Sequence, residues 1–269
     1  MASFSVVTNI ASVNAQANLY ATNLGLRQAL TRVSSGFRIN YSGDDAAGLA
    51  VANAHRSKVA IITQGVRNAN DALSDLQIKD GALDNISKLL DRMATLATQA
   101  ATSTTTAESR TTLDNEFQDI IAEIDREISV AALDSGSTFS IFVSAESVPA
   151  DGTVTGTIDP LSTGATSLNL TGLDLTSAAA TAVSRVADAI LALGTTQGQV
   201  GQLQNRLSYA ISLAQSQIVN TKAAESRIRD ANIAEESANL TRYSILNQSG
   251  LAALAQANQS TAAVLTLLQ

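Results

Sequence analysis

The sequence predicts a mainly α protein: a long antiparallel helical rod or coiled-coil bundle carrying a small central β-hairpin subdomain. Three observations lead there. Both prolines, Pro149 and Pro160, lie in the middle of the 269 residues, so the flanks are free of a residue that costs a helix interior about 3 kcal/mol. Hydrophobic residues make up 45% of the chain but aromatics only 3%; Ala, Leu, Ile and Val suit thin helical seams better than a thick globular centre. On both flanks apolar residues recur at alternating intervals of three and four, the spacing of a coiled-coil seam.

The charge pattern sets apart the two ends. Net charge is −7, yet all 24 acids fall between Asp44 and Glu236. Residues 1–43 carry three arginines and residues 237–269 carry one, which leaves 24 acids against 13 bases, a charge of −11, between them. Acid-free ends flanking an acidic body are the expected pattern when the ends are buried together in an assembly and the body faces solvent. A pair of disordered polar tails is the plainer alternative.

Several functions are argued against. The absence of Cys removes disulfides, thiolate chemistry and cysteine-based metal sites. No unbroken apolar run of about 18 residues appears, which argues against a membrane span. Residues 1–30 lack the basic and compact apolar regions of a cleavable signal; Arg27 and Arg32 in an acid-free start resemble a transit peptide, but no cleavage-like break follows. The single histidine, His55, sits among Ala, Asn and Arg56 on a predicted helix, as a surface or packing residue would. Asp44 and Asp45 are adjacent and cannot face each other on a helix, so capping explains them better than a metal or acid pair. No phosphate loop, zinc motif or nucleophile elbow occurs, so no catalytic, cofactor-binding or metal-binding residue is expected. Nucleic-acid binding is disfavoured by the acidic body. Sequons include those at Asn85, Asn169, Asn239 and Asn258, and of these four Asn169 alone falls in a predicted loop.

Taken in order, residues 1–43 form a first arm whose apolar residues Val6, Ile10, Val13, Ala17, Tyr20 and Leu24 make a thin seam. Such a helix is marginal until it finds a partner. Residues 44–133 hold the first rod helices. Ser42, Gly43 and Asp44 read as a turn and an N-cap, with Asp44 and Asp45 at the first turn, where the helix dipole favours carboxylates. From there to about Ala101 a helix of about 57 residues would span roughly 85 Å. Its stripe Val59, Ile62, Val66, Ala69, Leu73 and Leu76 would next fall on Asp80, Leu83 and Ser87. Two of these are polar, so the stripe is expected to drift to Ile86, Leu90 and Met93 and its packing to change.

Thr102 to Thr106 reads as a turn, and Leu113, Phe117, Ile120, Ile124 and Ile128 mark an acid-rich helix running back along the rod. Residues 134–177 turn to Ser, Thr, Gly and β-branched residues, with period-2 alternation at Phe139 to Val143, Thr153 to Ile158 and Ser167 to Leu175. Residues 178–236 form the second long helix through Val183, Val186, Ile190 and Leu193, a loose Gly194 to Gly201 patch, then Leu203, Leu207, Ile211, Ala214 and Ile218. Residues 237–269 form the last arm, with Leu240, Leu251, Leu254, Leu265 and Leu268 as its apolar positions. These are too few to offset the ordering entropy alone, so both arms are expected to be disordered in the monomer and paired on polymerisation.

Several runs carry a family resemblance. SSGFRIN followed by DDAAGLA (Ser34 to Ala50), SRIRDAN (Ser226 to Asn232), LAALAQAN (Leu251 to Asn258) and the opening TNIASVNAQ stand in the order seen in bacterial flagellins. Phe37 and Val33 depart from the usual leucines, and Tyr41 and Gly43 occupy a variable gap. The resemblance covers about residues 5–100 and 200–269. It implies a structural subunit that polymerises into the bacterial flagellar filament for swimming motility, secreted to the extracellular flagellum and not an enzyme. It implies that Val6, Ile10, Val13, Leu24, Leu240, Leu251, Leu254, Leu265 and Leu268 pack in the filament's inner core. Arg32, Ser34, Gly36, Arg38, Asn40, Asp44 and Asp45 belong to the linker motif.

Implied partners are other copies of itself, the flagellar export apparatus and a chaperone, the filament cap and hook-junction proteins. Arg92, Leu96 and Glu116 align with positions by which some flagellins engage a vertebrate innate receptor, although Ala94 and Thr95 replace an Arg and a Glu usual there. A hook-associated junction protein shares such terminal arms, and a soluble helical-bundle adaptor would leave the acid-free ends unexplained. An extracellular enzyme founders on the missing catalytic constellation.

Overall fold

The computed structural model describes residues 8–143, 152–164 and 167–267, with side chains as far as residue 260. In chain order these form α1 (Ile10–Ser35), α2 (Ala46–Ala101), α3 (Ala107–Val130), β1 (Ser137–Phe142), β2 (Thr153–Ile158), α4 (Leu175–Arg229) and α5 (Ile233–Leu267). The chain is mainly α with one two-stranded antiparallel sheet. It divides into two compact units, residues 1–57 with 220–269, and residues 58–219.

The unit of residues 58–219 is built on heptad stripes. On α2 the buried positions run Ile62, Gly65, Ala69, Ala72, Leu76, Lys79, Leu83, Ile86, Leu90, Met93, Ala97 and Ala100, alternating intervals of three and four without interruption. Ile86, Leu90 and Met93 are buried as expected, but the stripe reaches them without a break at Asp80. Lys79 takes the seam position instead, 4% exposed, and its ammonium donates to the carbonyls of Ala131 (3.0 Å) and Ala132 (3.4 Å). A lysine can fill an apolar stripe when its stem packs and its charged end reaches free carbonyls at a helix C-terminus.

Opposite this stripe, α3 buries Phe117, Ile120, Ile121, Ile124 and Ile128. Thr106 caps it, accepting from the Ser109 amide, as the turn at Thr102 to Thr106 predicts. Arg92 meets Glu116 and Lys79 meets Ala131, so α3 runs antiparallel to α2. Arg126, the counter-charge within the acidic face, pairs with Glu123 and holds that carboxyl below its usual range.

β1 and β2 pair from Ser137 with Ile158 to Phe142 with Thr153. The hairpin is fixed to its unit by close backbone approach and by side chains of α4. A Cβ on Gly65 would lie 2.8 Å from the Val143 carbonyl oxygen, and Arg206 donates to the Thr155 carbonyl at 2.7 Å. Ser167 to Leu175 is not a strand. Its alternation buries Leu168, Leu170 and Leu173, but Asn169 is at φ 52 and the amides of Leu168 and Leu170 donate to Ser162 and Thr163. The segment thus satisfies its backbone through turns, and the left-handed residue prevents an extended ladder.

Asp174 precedes α4 and accepts from the Thr176 amide, both hydroxyls of Thr176 and Ser177 adding to the same carboxyl, whose acidity these bonds raise. The helix kinks at Ala178 and then runs unbroken through Gly194, Gly198 and Gly201. The loose patch expected there is helix because Leu193, Thr196, Val200 and Leu203 continue the buried stripe across it. A Cβ at Gly198 would meet nothing within 4 Å. Gly198→Ala is therefore expected to stabilise the protein by about 0.5–1 kcal/mol, read as a higher urea midpoint at unchanged m.

One 18-residue window of α4 reaches a mean hydropathy of 1.2, enough by length and composition to cross a membrane. A search for an unbroken apolar run misses such a stretch of Ala, Leu and Val diluted by small polar residues. The buried face of this helix packs in the core of its unit.

Candidate assembly site

In the unit formed by the two chain ends, α1 and α5 lie antiparallel. Asn9 Nδ2 donates to Ala257 O at 2.8 Å, Asn247 Nδ2 to Asn23 Oδ1 at 2.7 Å, and Arg32 Nη1 to Glu236 Oε1 at 3.0 Å. Ser12 Oγ bonds Asn258 Oδ1 at 3.0 Å. Between these ties, α1 turns Ala15, Leu19, Leu26, Ala29 and Val33 inward, and α5 turns Glu236, Leu240, Tyr243, Asn247, Gly250 and Leu254. Gly25 allows the closest approach, since a Cβ there would lie 2.6 Å from the Tyr243 ring. The arms expected to pair only on polymerisation are thus paired within one chain, and each supplies the partner the other's thin stripe lacks.

The stripe used is not the one the sequence reading chose. Of that seam, Ile10, Val13, Tyr20 and Leu24 are 61, 55, 74 and 61% exposed, because the intrachain face is the neighbouring stripe, two positions along. Both stripes have heptad spacing, and the choice rests on partner side chains: Asn23 and Gly25 match Asn247 and Tyr243. Leu240 and Leu254 face α1 and are half-buried, whereas Leu251 is exposed. Val6 and Leu268 lie outside the described residues, as does the side chain of Leu265.

The roots of the arms are joined by their linkers. Gly36 ends α1 at φ 76, a left-handed cap that glycine adopts without strain. The Arg38 amide donates to Arg229 O at 2.7 Å and the Ala231 amide to Gly36 O at 2.9 Å, a short antiparallel bridge centred on Phe37 and Asp230. Arg38 also reaches Ile228 O, and the Arg229 guanidinium lies 4.2 Å over the Phe37 ring. Phe37, the departure from the family's leucine, is thereby the platform for a cation. The two runs SSGFRIN and SRIRDAN touch, which makes Arg229, Asp230, Glu236 and Tyr243 the residues that a motif-by-motif reading leaves unpaired.

The remaining linker residues close the turn into α2. Asp44 does not cap that helix; its Oδ2 accepts from the amides of Asn40 (3.0 Å) and Tyr41 (3.4 Å). Asp45 is the cap, accepting from the Gly48 amide at 2.9 Å, so α2 begins only at Ala46 with no acid in its first turn. Asn40 Nδ2 donates to Ser35 Oγ, while Ser34 is exposed at the end of α1.

In the other unit, Arg92 and Glu116 form an exposed ion pair, but Leu96, which the family resemblance points to as a receptor contact, is 1% exposed. It is buried in the core of its unit, beside the α2 stripe, and is closed to a surface partner in the single chain. His55 is half-buried on α2. Among the described residues, no three of His, Cys, Asp and Glu stand close enough to hold a metal ion.

A body of long heptad-packed helices, with both termini folded together as one element, defines a helical structural protein. The bacterial flagellin N-terminal helical region matches residues 6–139, and the bacterial flagellin C-terminal helical region matches residues 183–268. A flagellin from Halalkalibacterium halodurans is 36% identical over 97% of this chain and 98% of its own length. The flagellar filament 33 kDa core protein of Treponema phagedenis is 32% identical with the same coverage. The crystal structure of Bacillus cereus flagellin is 31% identical over 59% of this chain and 94% of that one, with a TM-score of 0.49. The chain belongs to the bacterial flagellin family and is a subunit of the bacterial flagellar filament.

Proposed function

We propose that this subunit polymerises through the outer face of the α1–α5 pair, building an extracellular filament that serves swimming motility. The observation that carries this reading is the exposed stripe Ile10, Val13, Tyr20 and Leu24 on a helix whose other face already has its partner. Heptad-spaced apolar residues facing water call for another helix. Leu251 and the apolar residues of the last arm, including Leu265 and Leu268, join this inner core, together with Val6. Leu240 and Leu254 act from within by holding the pair together. The linker residues Arg32, Gly36, Arg38, Asn40, Asp44 and Asp45 join the roots of the two arms and close the turn into α2, and residues 134–177 form an outer decoration.

The filament location further implies delivery by the flagellar export apparatus with a chaperone, and contacts with the cap and hook-junction proteins. Arg92 and Glu116 offer the exposed charge pair of a receptor surface. Val13→Glu with Tyr20→Glu tests the assembly face. Neither side chain faces α5, so monomer helicity by circular dichroism is expected to stay within a few per cent of the unaltered chain. Seeded polymerisation seen by negative-stain microscopy is expected to fall at least tenfold, since burying a carboxylate without a partner costs several kcal/mol. Filaments of normal length from this variant would place the assembly face elsewhere.

A further inference from the structure

We propose that a pocket on the first arm receives a carboxylate from a second copy of this chain, one of the acids between residues 44 and 236. The proposal rests on the filament reading. The pocket, of about 400 Å³, opens between one face of α1 and the linker that follows it; of its polar lining, Thr31 Oγ1 already donates to Arg27 O and Asn40 Nδ2 to Ser35 Oγ, which leaves Arg27 and Gln28 beside the partly engaged Arg32. Both arginines line it, Arg32 with one guanidinium nitrogen already on Glu236.

The acids nearby are already committed. Asp44, on the pocket's rim, holds the turn through two backbone amides, and Glu236 takes Arg32 Nη1. What is left over is donors. Arg27 makes no ion pair among the described residues, and Arg32 Nε is buried without an acceptor. A carboxylate entering the pocket would accept from Arg27, with the Gln28 amide beside it, in a charge-assisted pair. Tyr41 walls the pocket, its ring so close to Gly43 that a Cβ there would lie 2.6 Å away.

The occupant follows from charge placement. Residues 1–43 and 237–269 hold no acid, while the span from Asp44 to Glu236 carries all 24. In a homopolymer each copy presents that acidic span to its neighbours, and an ion pair across copies fixes register better than an apolar stripe alone. This is a register device on the arm, beside the outward stripe, with which it shares Leu24.

The test uses the full chain, unaltered and as Arg27→Lys and Arg27→Glu. Filaments of Arg27→Lys, grown from mixed 15N-labelled and unlabelled chains, are treated with a zero-length carbodiimide that couples amines to carboxylates in contact. The expected result is a mixed-isotope peptide joining position 27 to an Asp or Glu within residues 44–236. Arg27→Glu is expected to raise the critical concentration for polymerisation about tenfold with monomer helicity unchanged. Filaments in which position 27 couples only within its own chain, or not at all, would overturn the proposal alone. An Arg27→Glu chain that polymerises like the unaltered one would do the same. Failure of the unaltered chain to form filaments would overturn the filament reading and this proposal with it.

Discussion

Deletion of residues 237–269 is expected to abolish seeded polymerisation while leaving the melting of the 58–219 unit within a few degrees of its original value. The deletion removes nearly all of α5 and with it Leu240, Tyr243, Asn247, Gly250 and Leu254, the whole face on which α1 rests. Helix α1 then exposes both its stripes and loses its ties to Asn247, Ala257 and Asn258. An isolated helix of 26 residues with a thin stripe is marginal in water, so the first arm is expected to unfold as well. The body has its own core, from Ile62 to Ala214, in which no residue of the deleted segment takes part. Two readouts therefore separate: filament length by electron microscopy falls to that of the seeds, and the body's cooperative transition by circular dichroism persists. Filaments from the truncated chain would show that α1 alone assembles and that the pair is dispensable.

The second large effect is expected at Lys79. Lys79→Ala is expected to destabilise the 58–219 unit by about 2–4 kcal/mol, the sum of a core cavity and lost bonds to buried carbonyls. Its ammonium holds Ala131 and Ala132 at the end of α3, where Ala132 sits at φ 50 and the chain turns toward β1. Asp75 stands 3.9 Å away and is half-exposed, so the ion pair contributes little and the carbonyls carry the interaction. Lys79→Met keeps the packing and removes only the donor, and is expected to cost about 1–2 kcal/mol. Urea denaturation at unchanged m measures both. A Lys79→Met chain as stable as the original would mean that the carbonyls find water and that the lysine is merely tolerated.

Lys79 also illustrates where reading the sequence stops. The long helices, their antiparallel return and the two-stranded hairpin follow from local rules: confined prolines, three-four spacing and short alternating runs. The linker motifs are legible as motifs. Yet the spacing rule, followed from Leu76 by an interval of four, lands on Asp80, which is exposed, whereas the fold steps by three to Lys79 and keeps it buried. A lysine's fate depends on whether carbonyls stand within reach of its ammonium, and those belong to two residues more than fifty positions away. The Ser167 to Leu175 segment misleads for a related reason, since alternation records which side chains are buried and leaves open whether the backbone bonds a strand or a turn.

The sequence by itself determined the helical class, the acid-free ends, the absence of cysteine chemistry and the family, because these rest on composition, periodicity and runs of residues contiguous in the chain. Only the tertiary structure decided which of two equally spaced stripes on α1 faces α5, which of Asp44 and Asp45 caps α2, and that Phe37 lies beneath Arg229. Each of those choices is made by contacts between residues far apart in sequence or by competition for a single amide. Periodicity cannot express either, since a helix with two apolar faces has the same spectrum whichever face finds its partner first.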